Sequence, residues 1–117
     1  MVDKIKRGNE GETLAADFLK QKGFTVLERN YRHKRSEIDL IVSRGSWLVF
    51  VEVKTRSSTA FGHPEEFVDY HKKQMILEGA LHYMFAKDWQ GNVRYDIVAV
   101  TFVNGQPEIH HVEDAFY

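Results

Sequence analysis

The sequence predicts a single α/β (α+β) domain, a mixed β-sheet flanked by helices in the order helix, three strands, helix, two strands. Three observations carry that expectation. Segments 9–22 and 68–86 place apolar residues at helical spacing. Two apolar runs, SEIDLIVS (36–43) and WLVFVEVKTR (47–56), flank Arg44-Gly45-Ser46, which reads as a hairpin turn. A further run, Arg94 to Val103, leads into Asn104-Gly105, a strong two-residue hairpin signal.

In chain order, the first helix is expected over Asn9–Lys22, with Leu14, Ala15, Phe18 and Leu19 as its buried stripe. Asn9 reads as its N-cap and Glu12, three residues on, as the partner in a capping box. Gly8, Gly11 and Gly23 read as helix-boundary residues, with Gly23 ending the helix. Phe24–Tyr31 is a strand. In the run 36–43, period-two alternation puts Glu37, Asp39 and Ile41 on one face and Ile38, Leu40 and Val42 on the other. In the run 47–56, Glu52 and Lys54 share a face with Leu48 and Phe50, opposite Val49, Val51 and Val53. Apolar on both faces, this strand should be central. A loop follows over Arg56–Phe67, with Gly62 and Pro64, and then a helix over Val68–Ala86. Its expected buried stripe is Val68, Met75, Ile76, Ala80 and Met84, with Gly79 marking close packing. The last strand, Gln106–Val112, contains Pro107 and is therefore an edge.

The length, 117 residues, fits one domain covering 1–117 and suffices to bury about two-thirds of the unfolded surface without a covalent staple. There is no cysteine, which excludes disulfides, thiolate metal sites and cysteine nucleophiles and fits a reducing compartment. No run reaches the ~20 apolar residues of a membrane span, and the N-terminal MVDKIKRGNEGE has no signal-peptide core. A cytoplasmic protein with no membrane partner is expected. The formal net charge of −1 argues against strong nonspecific nucleic-acid binding, but the basic residues are clustered. Lys4, Lys6 and Arg7 precede the first helix, and Arg29, Arg32, His33, Lys34 and Arg35 precede the first acidic strand. Such a run is either a solvated loop or a phosphate-contacting rim.

The acidic residues need explaining. Glu37, Asp39 and Glu52, with Lys54, sit inside apolar strand runs where a charge is costly to bury without a partner. A divalent metal with a phosphate substrate accounts for them economically. Magnesium is held by one or two carboxylates plus waters and phosphate oxygens; Asp39 and Glu52 would supply those carboxylates if their side chains meet. Lys54, two residues past Glu52, points the same way and would orient a water or stabilise developing charge.

This pattern, Asp39 and then Glu52-Val53-Lys54, resembles the signature of PD-(D/E)XK nucleases, with Ile38 where that signature has proline. Across Gly8 to about Val103, the segments GNEGETLAADFLKQKGFTVLERNYR, SEIDLIV, FVEVKTR, FGHPEEFV, Lys72, Ala80 and RYDIVAV resemble the YraN family of predicted endonucleases, which is similar to Holliday-junction resolvases. Ser36 stands where relatives commonly carry glycine. The resemblance implies a restriction-endonuclease-like fold and a Mg2+-dependent endonuclease (Mn2+ substituting) acting on DNA, including branched or recombination intermediates. It implies Asp39, Glu52 and the Val53 backbone carbonyl as metal ligands, and Asp39, Glu52 and Lys54 as catalytic residues.

Glu12 and Glu37 are accessory candidates, the first against a capping role and the second against a surface pair with Arg35. Arg32, Lys34, Arg35, Arg56 and Lys72 are candidate nucleic-acid contacts, against the plainer reading of solvated charge. Arg94 and Asp96 read as a structural ion pair, and the six histidines as packing or surface residues rather than zinc ligands. No phosphate-binding glycine loop is present. Phe61, Tyr31 and Trp89 read as satellite packing rather than base-stacking residues. Two rivals to the nuclease remain: a catalytically inactive nucleic-acid-binding module of the same fold, and a protein-interaction subunit with acidic strands. Monomer and homodimer are both open.

Overall fold

The computed structural model describes residues 4–57 and 69–116, with backbone alone for 4–8. The expected loop with Phe61, Gly62 and Pro64, and the expected helix start at Val68, lie outside the described residues, as do the side chains of Lys4, Lys6 and Arg7. The order is α1 (Lys4–Gln21), β1 (Thr25–His33), β2 (Ser36–Arg44), β3 (Trp47–Arg56), α2 (Tyr70–Lys87), β4 (Asn92–Val103) and β5 (Gln106–Val112), the αβββαββ order expected. The five strands form one sheet in sequence order, antiparallel except for the β3–β4 pair. A parallel pair needs a long crossover, and α2 occupies it.

The helices cover opposite faces. On one, Ala15, Ala16 and Leu19 of α1 pack on Leu40, Val42, Val49, Val51, Val98 and Val100. On the other, Ile76, Ala80 and Tyr83 of α2 pack on Ile38, Ile41, Leu48, Phe50 and Ile97. Each Val, Leu, Ile or Phe among them contributes about 1.5–3 kcal/mol of apolar burial. With β2 and β4 as neighbours and a helix over each face, β3 is central, as its sequence predicts. β5 with Pro107 is an edge, and Asn104 and Gly105 both take positive φ, as a primed hairpin turn demands.

Four expectations are corrected. Helix α1 already runs from Lys4, so Asn9 is inside it and Glu12 is not part of a capping box. Gly11 is likewise internal: a Cβ there would stand 2.0 Å from Thr55 Oγ1, so the glycine permits α1 to lie against the end of β3. On α2, Met75 and Met84 are only half-buried, and Tyr83, absent from the predicted stripe, is buried.

The fourth correction concerns β2. Ile38 packs under α2, whereas Leu40 and Val42 pack under α1, so they do not share a face. The strand slips phase at Asp39. On β1 the slip is matched at Asn30, which has φ 53°: Arg29 reaches Thr13 of α1, while Tyr31 packs towards α2. Irregularities of this kind re-aim a side chain and end strand pairing. Here the β2–β3 ladder ends at Leu40↔Val51, one residue before Asp39 and Glu52.

Candidate active site

Because the ladder has ended, the Asp39 carboxylate turns sideways into the opening between β2 and β3. Its Oδ2 accepts the backbone N–H of Val53 at 2.8 Å. A strand residue aims its N–H and C=O at the same neighbour, so the Val53 carbonyl faces this opening too. Glu52 lies on the α2 side of β3, 5 % exposed. Its Oε1 meets Lys54 Nζ at 3.6 Å and Lys72 Nζ at 3.5 Å. Its Oε2 is buried and, among the described residues, has no hydrogen-bond partner.

Gly11 brings Glu12 in from α1. Glu12 accepts from the Asn30 side chain and senses the negative charge of Asp39. Its Oε1 is also buried without a partner among the described residues.

The electrostatics follow from this crowding. Burial, and then the Asp39 charge, push the Glu52 carboxyl up to about 7, although Lys72 and Lys54 pull it down. Burial likewise raises Asp39, against the opposing Val53 N–H and the two lysines. Burial and Asp39 raise Glu12. Three carboxyls thus share a region in which ionising all of them is unfavourable without added positive charge.

The donors fit a hard divalent ion. No three His, Cys, Asp or Glu side chains among the described residues stand close enough to hold a metal together. The oxygens on offer, from Asp39, Glu52 and a backbone carbonyl, would suit an ion that retains water and takes oxygens from a phosphate. The buried Glu52 Oε2, without a partner among the described residues, is in keeping with that fit.

The structure brings Asp39, Glu52, Val53, Lys54 and Lys72 together, with Glu12 alongside. Arg35 and Glu37 border them, lining an open cleft of about 410 Å³ with Asp69, His71, Lys72 and Met75. Glu37, for which the sequence left an accessory role and a surface pair with Arg35 both open, pairs with Arg32, its partner across the strands, at 3.5 Å. Arg32 and Lys34 stand exposed on the β1–β2 hairpin. Arg56 follows Lys54 by two residues on the α2-facing side of β3.

Residues the sequence reading passed over include Asn30, His71 and Asp69, whose side chain caps α2 by accepting Lys72 N–H at 2.8 Å. Asp69, three residues before Lys72, is a legible N-cap signal. The slip at Asp39 also had one: Ile38, Leu40, Ile41 and Val42 are all apolar, which no strict alternation explains.

Residues 11–100 match the model of the uncharacterised protein family UPF0102. A UPF0102 protein of Christiangramia forsetii is 37 % identical over 117 residues, covering 100 % of this chain and 98 % of that one. One from Flavobacterium psychrophilum is 42 % identical over 117 residues with the same coverage. One from Rhodococcus opacus is 41 % identical over 119 residues, covering 99 % of this chain and 100 % of its own. The chain belongs to the UPF0102 family.

Proposed function

We propose that this UPF0102 member is a magnesium-dependent endonuclease of the PD-(D/E)XK kind that hydrolyses DNA phosphodiester bonds, branched intermediates included. The single observation that carries the reading is Glu52. It is a buried carboxylate with one oxygen shared by two lysines and the other, among the described residues, without a partner, beside an aspartate held in the mouth of a parted strand pair.

Asp39, Glu52 and the Val53 carbonyl would hold the metal, which when bound supplies Lewis acidity and an acidified water. The chain's own residues do the rest. The Val53 N–H fixes the Asp39 carboxylate, so its orientation costs nothing at the moment of reaction. Lys54 keeps an ammonium where negative charge grows on the phosphate. Lys72, 40 % exposed and at the rim of the cleft, is placed to hold a phosphate oxygen with Arg35. The lysine contacts to Glu52 offset its buried charge until another cation does so.

The test is hydrolysis of junction, flap, single-stranded and duplex DNA with magnesium or manganese. Asp39→Asn, Glu52→Gln and Lys54→Met should each lower the rate by roughly 10²-fold or more. Equal rates for wild type and Asp39→Asn end the assignment. Salt-sensitive binding with no cleavage in any metal favours the inactive binding module instead.

A further inference from the structure

Away from the acids, the β1–β2 hairpin carries a feature that hydrolysis does not use. The rings of His33 and His82 stack at 3.5 Å between centroids with planes 11° apart. Tyr31 stands behind them, its hydroxyl 2.7 Å from His82 Nδ1. His82 is exposed and His33 half-exposed. Two flat rings held parallel at the surface bury little apolar area and form no core. Desolvation, then His82 and Lys34, hold the His33 pKa below the ordinary imidazole value, with Glu78 opposing them.

The position of this stack gives it meaning. His71, Met75 and His82 recur on one face of α2, eleven residues making three turns. The hairpin rides on that face: Ser36 and Ile38 pack where Gly79 leaves room, with a Cβ there falling 3.0 Å from Ser36 Cβ. One flank of the hairpin tip therefore places Arg35 beside Lys72 in the cleft, and the other places His33 on His82. Lys72 and His82 are about 15 Å apart along α2 at 1.5 Å per residue. That is roughly four stacked nucleotides at 3.4 Å each.

We propose that the His33–His82 stack is a platform for an unpaired base of a DNA strand whose backbone reaches the acidic centre past Arg35 and Lys72. The inference rests on the nuclease reading and narrows its substrate class to DNA with an unpaired segment. Bases within a duplex keep their faces stacked on one another, so an exposed aromatic face selects a strand that has left the helix. The basic hairpin residues Arg32, Lys34 and Arg35 supply the backbone attraction, and the rings supply the preference for unpaired bases.

The experiment reads binding alone, without divalent metal and at fixed salt. Its probes are a single-stranded oligonucleotide carrying 2-aminopurine and the same sequence as a duplex. Wild type should bind the single strand more tightly and quench its fluorescence. The His33→Ala/His82→Ala double variant should lose the quenching and about tenfold in single-strand affinity, with duplex affinity unchanged. His82→Phe should restore both. Arg35→Gln should weaken both probes alike. Equal affinity of wild type for the two probes, or single-strand binding by the double variant within twofold of wild type, overturns the platform. A chain that binds in this way but never cuts overturns the hydrolytic reading and leaves the platform standing. One that cuts every DNA without preference for unpaired segments does the reverse.

Discussion

Two buried carboxylates lie one strand apart on opposite faces of the sheet, and the fold treats them in opposite ways. Asp96 of β4, fully buried, is saturated with donors. Arg94 gives it two hydrogen bonds of 2.9 Å, His111 Nε2 lies at 2.7 Å, and Asp114 N–H donates at 3.0 Å. Lys22 Nζ, 2.7 Å from His111 Nδ1, donates there and leaves His111 Nε2–H to face the carboxylate. Burial alone would raise Asp96, but the His111 and Arg94 hydrogen bonds and the Asp114 amide outweigh it and hold the carboxyl below its ordinary value. Glu52 of β3 is nearly as buried, yet among the described residues it has two ammonium contacts beyond 3.4 Å on one oxygen and none on the other. A carboxylate that serves the fold is satisfied within it. One that is desolvated and lacks a partner among the described residues fits the proposed reading of a site that receives a cation.

The largest effect that would break this comparison is on Asp96. Asp96→Ala takes two hydrogen bonds from Arg94, whose remaining ion pair among the described residues is its 3.7 Å contact with Glu113, and leaves the 4 % exposed His111 Nε2–H without its acceptor. Loss of one partner from a buried pair costs about 3–5 kcal/mol, and urea denaturation should show a loss of that order. The wild-type contribution is present above the unfolded aspartate value of 3.8 and disappears as pH falls through the lower folded value. Wild type should therefore melt steeply in acid, and the variant should have a flatter acid limb. If Asp96→Ala is as stable as wild type, the satisfied centre is not structural and the contrast fails.

Glu52 should behave with the opposite sign. Its folded value of about 7 lies above the reference 4.5, so between those pH values the native state holds a proton that the unfolded chain has lost. Metal-free stability then falls as pH rises across that window, by on the order of 3 kcal/mol in all. Glu52→Gln should remove most of that slope and raise the Tm at pH 8 in a chelator, although it removes a charged residue. Magnesium should raise the wild-type Tm at pH 8 and leave that of the glutamine variant unchanged. A destabilised glutamine variant would mean that the lysine contacts make Glu52 a structural ion pair.

What the sequence made legible was whatever depends on local period and turn chemistry. The element order, the central β3, the Pro107 edge, the Asn104-Gly105 turn and the shared face of Glu52 and Lys54 all follow from residues a few positions apart. The Arg94–Asp96 pair was legible too, being two residues apart on one strand. What escaped depends on partners distant in the chain. The phase slip at Asp39 is a compromise between two cores, since Ile38 is claimed by α2 and Leu40 by α1. Lys72 reaches Glu52 only because α2 crosses back over the sheet, and His111 reaches Asp96 only through the β4–β5 pairing. Gly11 looked like a helix boundary because its close contact with Thr55 is 44 residues away in the chain.

Gly11 supplies the smallest test and the one that separates the two centres most cleanly. Helix α1 serves both: Glu12, midway along it, stands by Asp39, and Lys22, just past its last turn, stands by His111. A methyl at position 11 would meet Thr55 Oγ1 at 2.0 Å and Thr55 Cβ at 3.0 Å, so the helix must lift or Thr55 must turn. Overpacking of this kind costs about 1–3 kcal/mol, against which the better helix propensity of alanine returns roughly 1 kcal/mol. Gly11→Ala should therefore destabilise by about 1 kcal/mol, and Thr55→Ala in the same chain should recover most of the loss by removing the nearest atom. The lift falls next to Glu12 and about ten residues from Lys22, so DNA hydrolysis should drop more than stability does, whereas the acid limb set by Asp96 should keep its midpoint. If activity and the acid limb move together, α1 shifts as a rigid rod and the two centres are coupled through it. If activity alone moves, the close approach at Gly11 belongs to the acidic centre.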